Sequence, residues 1–114
     1  MPHQLFERGA YVELRLSGVL DTPEEFTETE CSVVVAVSRV LVDYSDVEQL
    51  NVDPYTLAGM AKKNEERGIK VAVYAPRPAM FGLNRQVLQL AATAEGRTAR
   101  VFRDHDEAVA WLVA

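Results

Sequence analysis

Asp43, Asp46 and Asp53 stand close together in the chain, with the hydroxyl-bearing residues Ser45, Tyr55 and Thr56 among them. Carboxylates gathered at one strand end can hold a divalent cation or accept a phosphoryl group. Open α/β sheets also tend to receive ligands beyond the carboxyl ends of their strands. The same residues suit plainer tasks. Asp53 precedes Pro54, a pairing that starts helices because the carboxylate accepts a backbone N–H and proline has none to lose. Asp43 and Asp46 then order the loop between strand and helix. The plainer reading is preferred: Asp43, Ser45, Asp46, Asp53, Tyr55 and Thr56 form a candidate binding surface, with no catalytic residue, metal or cofactor assigned.

Other reactive side chains are sparse. Cys31 is the sole cysteine, so neither an intrachain disulfide nor a cysteine-based zinc site can form. No base adjoins it, and it is expected to be a packed thiol. His3 and His105 are remote from each other. Asp104-His105-Asp106 opens a helix, where carboxylates serve capping and the helix dipole. Arg77 and Arg85 flank another helix start and could present an anion site, although Arg85 is better explained as a solvated position. Glycine-rich phosphate loops, HExxH and GxSxG are all absent.

Composition narrows the class further. A chain of 114 residues is expected to be a single domain spanning 1–114, and 48% hydrophobic with 25% charged residues is ordinary for a globular protein. The formal charge of -5 and an isoelectric point near 5.0 argue against a nucleic-acid binder, which would need a basic stripe. The longest apolar run, Val33 to Val37, is far short of a membrane span, so stable membrane insertion is not expected. Met1 to Leu5 lacks the layout of a signal peptide, and a cytoplasmic location is expected.

The elements that must position these residues follow from periodicity. Gln4 to Glu7 and Ala10 to Ser17 read as a hairpin about Arg8-Gly9, with Val12, Leu14 and Leu16 alternating. Thr22-Pro23-Glu24-Glu25 spells a capping box and predicts a helix start. That helix either stops near Glu30 or runs to about Val37, the longer version being favoured despite the β-branched Val33-Val34-Val35. Val40 to Tyr44 and Ile69 to Ala75 lack alternation, as central strands covered on both faces do. A helix opened by Asp53-Pro54 ends at Gly68. Its Lys62, Lys63, Glu65, Glu66 and Arg67 form a solvated face. Another helix starts near Pro78, with Met80, Leu83, Val87, Leu90, Ala91 and Ala94 on one side, and ends at Gly96. Thr98 to Phe102 is the last strand. Asp104 caps a final helix with Ala108, Val109 and Leu112 inward and Trp111 at its edge. The order β-β-α-β-α-β-α-β-α implies an α/β fold with a mostly parallel sheet of about five strands, an N-terminal hairpin and about four helices.

Leu14-Arg15-Leu16-Ser17-Gly18-Val19-Leu20-Asp21, following a hairpin, resembles the opening of STAS domains, the anti-sigma-factor-antagonist family. Val40 to Val47 resembles that family's central strand and following loop. The tail from Arg100 to Leu112 is similar to the SpoIIAA-like branch. A receiver-domain likeness fits less well, because the first strands form a hairpin and Lys70 opens a strand. Asn51 to Leu57 falls where STAS domains have a D-S-[ST]-G-L helix start, and phosphorylation there switches partner binding through added charge. Asp53 and Leu57 match that motif. Pro54 and Tyr55 replace the serine positions and Thr56 the glycine, so the usual phosphoacceptor is missing.

The resemblance implies a non-enzymatic regulatory module that contacts a protein partner through the Asp43-to-Tyr55 loop and helix start. The alternative is a small-ligand or lipid carrier of SpoIIAA/Sec14-like type, with a pocket under the Met80-Phe81-Leu83 end. An enzyme using Asp43, Asp46 and Asp53 is a third reading. Sheet edges are compatible with a homodimer.

Overall fold

A computed structural model of the chain describes residues 3–22, 26–91 and 98–114. Strands β1 (His3–Glu7) and β2 (Val12–Leu20) form the hairpin. There follow α1 (Glu28–Val37), β3 (Arg39–Leu50), α2 (Pro54–Glu66), β4 (Lys70–Tyr74), α3 (Pro78–Ala91), β5 (Ala99–Phe102) and α4 (His105–Val113). The five strands lie in the order β1-β2-β3-β4-β5, antiparallel between β1 and β2 and parallel thereafter.

Each parallel step moves one strand further in the same direction, so right-handed crossovers put α1, α2 and α3 on one face. α4 covers the other. Side-chain alternation explains why the central strands are apolar throughout. Val40 and Tyr44 of β3 and Val71 and Val73 of β4 enter the core beneath the three connecting helices. Leu41 and Ala72 point the opposite way, against Ala108 and Leu112 of α4. Lys70 fastens that helix at its far end: its Nζ donates to the Trp111 carbonyl oxygen at 2.6 Å and lies 4.4 Å from the Trp111 ring centroid.

Two boundaries differ from the sequence reading. α1 begins at Glu28, after Thr27 rather than Thr22. The chain spells T-x-x-E twice, and the second copy forms the box: the Glu30 N–H donates to Thr27 Oγ1 at 3.1 Å, and the Thr27 N–H to Glu30 Oε1 at 2.9 Å. The other Glu30 oxygen lies 3.1 Å from His3 Nε2, and Phe26 meets the His3 ring edge-on at 5.0 Å between centroids. These contacts to β1 favour the second box. Residues 23–25 of the first lie outside the described residues. The helix then continues to Val37 through the three valines, as the longer version requires.

The second difference is β3, which does not end at Tyr44 but runs to Leu50. Between the pairs Arg15↔Asp43 and Ser17↔Asp46, β3 advances three residues while β2 advances two. Between Gly18↔Val47 and Val19↔Gln49 it again gains one. Two bulges therefore disrupt the period-two pattern, and a paired strand reads as a loop. At the first, Asp43 Oδ1 accepts the Ser45 N–H at 2.8 Å, replacing a ladder partner with a side chain. At the second, Gly18 of β2 takes φ 72°, a conformation open chiefly to glycine.

The remaining caps agree with expectation. Asp53 Oδ1 accepts the Tyr55 N–H at 2.9 Å, with Pro54 in the first turn. Gly68, at φ 71°, closes a Schellman motif in which the Ile69 N–H donates to the Asn64 carbonyl and the Gly68 N–H to that of Glu65. Asp104 Oδ1 accepts the Glu107 N–H at 2.9 Å. Asp53→Ala is expected to lower the unfolding free energy by about 1 kcal/mol, the ordinary worth of an N-cap. Urea denaturation measures this, and an unchanged midpoint would show that Asp53 is not a structural cap.

Candidate functional site

The sequence-selected residues separate into two groups. Asp43 is buried on the α4 side of the sheet, with Ser45 bound to it as described. Its Oδ2 lies 4.0 Å from Arg15 Nε. Arg15 in turn pairs at 2.7 Å with Glu13, itself buried and 3.5 Å from Arg8 Nε. Asp46 is exposed. The second group sits at the start of α2, where Asp53 caps, Thr56 is exposed and Tyr55 is 72% exposed. The remaining length of β3, roughly 20 Å of strand, separates Asp43 from this helix start. Among the described residues no group of three or more His, Cys, Asp or Glu side chains could hold a metal ion. Arg77 and Arg85 are both exposed.

Two expectations need correction. Cys31 is exposed rather than packed, because Val34 is the α1 residue turned to the core. On α3 the inward stripe is Met80, Asn84, Val87 and Ala91, while Leu90 is 40% exposed. Ala94 and Gly96 lie outside the described residues. Met80 belongs to the main core, Phe81 and Leu83 pack against it, and none of the three borders the cavity described next.

A cavity does exist, elsewhere. It occupies about 220 Å³ between the sheet and the three connecting helices. Its floor is Leu14 and Leu16 of β2, Val42 and Tyr44 of β3, and Val73 of β4. Its roof includes Val34 of α1 and Leu57, Met60 and Ala61 of α2. The reason for the space is local. α1 contributes no fully buried residue, and α2 buries only Ala58, which packs on Val87 and Ala91 of α3. α2 is thus held against α3 more than wedged into the sheet. Exposed Thr22, Cys31 and Arg67 also border the space, which places parts of its rim at the surface.

The wall is apolar except at a few points. Asn84 is buried and its Nδ2 donates to the Met80 carbonyl at 2.9 Å. Thr98 Oγ1 is buried without a hydrogen-bond partner. Tyr44 is 7% exposed, and its hydroxyl has no partner among the described residues. Burial pushes its phenol up to about 12. Unlike Thr98 Oγ1, the Tyr44 hydroxyl is not sealed off, and Tyr44 borders the cavity. Sequence reading had no signal for this site, since Tyr44 looked like one more residue of a buried strand.

A parallel sheet with a leading antiparallel strand, three helices on one face and one on the other defines a SpoIIAA-like α/β module, and the chain adopts that fold. The crystal structure of an uncharacterised protein of the DUF3478 family from Shewanella loihica PV-4, described as having a SpoIIAA-like fold, superposes with a TM-score of 0.61. The match covers 96% of this chain and 91% of that one at 15% sequence identity. No family model matches the sequence, and no curated protein matches it. Among the described residues no helix is long and apolar enough to cross a membrane.

Because the Tyr44 hydroxyl has no partner among the described residues, Tyr44→Phe is expected to leave the melting temperature unchanged or to raise it. The wild type carries a further signature. An unfolded tyrosine ionises near 10 and folded Tyr44 near 12, so the folded state keeps a proton that the unfolded state loses. Its contribution is complete below pH 10 and declines as the pH rises toward 12. Thermal melts across that range check this, and an equal decline in Tyr44→Phe would contradict it.

Proposed function

We propose that this chain is a non-enzymatic binding module of SpoIIAA-like fold that holds a small apolar ligand between its sheet and α1–α3. The observation that carries the reading is the apolar cavity of about 220 Å³. Apolar cavities near 150 Å³ take up benzene, whereas drug-sized ligands occupy 300 Å³ or more. The occupant is therefore the size of a small aromatic or a short alkyl chain. Burying about 200 Å² of such a molecule contributes about 5 kcal/mol. After the cost of immobilisation, this corresponds to weak, readily reversible binding. A carrier or sensor of a small metabolite works in that regime.

A second reading retains protein contact, and the 72% exposure of Tyr55 favours it. An exposed aromatic beside Thr56 at the head of α2 is a suitable anchor for a partner, and Asp46 and Asp53 are exposed as well. Tyr55→Glu would then abolish a complex captured from the native cell while leaving the fold intact.

Indole offers a direct test of the first reading. At a concentration one hundred times its Kd it is expected to stabilise the protein by about 2.7 kcal/mol through linkage. Ala61→Trp, which fills the roof from α2, is expected to remove that shift while remaining folded. If neither indole nor benzene alters the melting temperature of the wild type, the cavity is not a ligand site.

A further inference from the structure

We infer that the cavity selects uncharged molecules bearing one hydroxyl or carbonyl group on a hydrocarbon body, and that Tyr44 is the residue that holds this group. The inference rests on the cavity being a ligand site and adds the chemistry of what enters it.

Among the described residues, Tyr44, Asn84 and Thr98 are neutral polar side chains on a mostly apolar wall, with Thr22, Asn64, Glu65 and Arg67 also bordering the space. Tyr44 is more than nine-tenths buried, and its hydroxyl has no partner among the described residues. Thr98 Oγ1, on the same wall, is buried and unpartnered. Asn84 donates one amide hydrogen to the Met80 carbonyl, which leaves its second amide hydrogen and its carbonyl oxygen to be matched. Buried polar groups are paired in the great majority of folded proteins, and an orphan asks for an explanation. Thr98 is level with Arg39 and Lys70 at the amino end of the sheet, whereas Tyr44 lies beyond the row of Asp43, Tyr74 and Phe102 at the carboxyl end, so a ligand's single polar group at Tyr44 leaves Thr98 aside.

The wall also determines charge. Among the described residues, the ionisable ones bordering the cavity, apart from the Tyr44 phenol and the exposed Cys31, are Glu65 and Arg67 at the carboxyl end of α2, part-buried and exposed respectively. A carboxylate drawn down to Tyr44 would exchange its water for neutral donors alone, an unfavourable transfer. A hydroxyl or carbonyl meets Tyr44 as an equal, since a phenol both donates and accepts. Scaling from the cavity that admits benzene gives an occupant of about nine non-hydrogen atoms.

Three matched probes test this on the full chain at pH 7: ethylbenzene, phenethyl alcohol and phenylacetate, each titrated by calorimetry. Phenethyl alcohol is expected to bind at least as tightly as ethylbenzene despite its greater affinity for water, and phenylacetate at least about tenfold more weakly. In Tyr44→Phe, phenethyl alcohol should weaken about fivefold, the ordinary net worth of one hydrogen bond, with ethylbenzene unchanged. Thr98→Val, at the opposite end of the cavity wall, serves as the control. The inference is overturned if Tyr44→Phe leaves the ratio of the two neutral probes unaltered, if Thr98→Val rather than Tyr44→Phe changes it, or if phenylacetate binds tightest. Failure of all three probes with the wild type would instead remove the cavity reading itself.

Discussion

Right-handed crossovers running always in one direction govern this molecule. From β2 to β5 each strand is laid beside its predecessor, so α1, α2 and α3 must share a single face of the sheet. Four parallel strands have to be covered by three helices whose inward residues come from three separate stretches of sequence. α3 meets that demand with Met80 and Val87. α1 and α2 do not, one burying no residue fully and the other only an alanine. The cavity is the difference between the surface to be covered and the side chains supplied to cover it. On the other face α4 faces a smaller task, which Leu41, Ala72, Ala108 and Leu112 complete between them.

Elements specified by local chemistry were legible in the sequence. The Asp53-Pro54 helix start, the Gly68 stop and the Asp104 cap each depend on a few adjacent residues, and each occurs where its residues predict. β4 was legible because an unbroken run such as Val71-Ala72-Val73 has few other places to go. The second half of β3 was not. Its two bulges arise from pairing with β2, and nothing within Ser45 to Leu50 announces a partner. α1 shows a different failure, in which two equivalent T-x-x-E boxes compete and contacts from His3 on a distant strand accompany the second.

The site was less legible than the fold for the same physical reason. Asp43 and Ser45 are neighbours whose mutual hydrogen bond is local, so a structural use for them could be weighed from sequence. A cavity belongs to facing surfaces. Leu14, Val42, Leu57 and Ala61 are each ordinary core residues, and only the separation of their elements turns them into a wall. Asn84 likewise occupies an apolar position on α3, where periodicity favours Leu83 and Leu90 and passes over an amide. The SpoIIAA-like architecture was accessible from element order, at a level of sequence identity where individual residues no longer speak for it.

The clasp between Lys70 and Trp111 gives the protein an optical asymmetry. Trp111 is the single tryptophan, and it packs with Phe102 and α4 on the face opposite the cavity. Its indole emission therefore reports whether α4 is docked, while the sheet screens it from events beneath α1 and α2. Tyr44 stands on the other side as a separate chromophore with a late alkaline transition. Because Tyr11 and Tyr74 share the α4 face with Trp111, the tryptophan emission and not the tyrosine absorbance separates one face of the sheet from the other in the unlabelled protein.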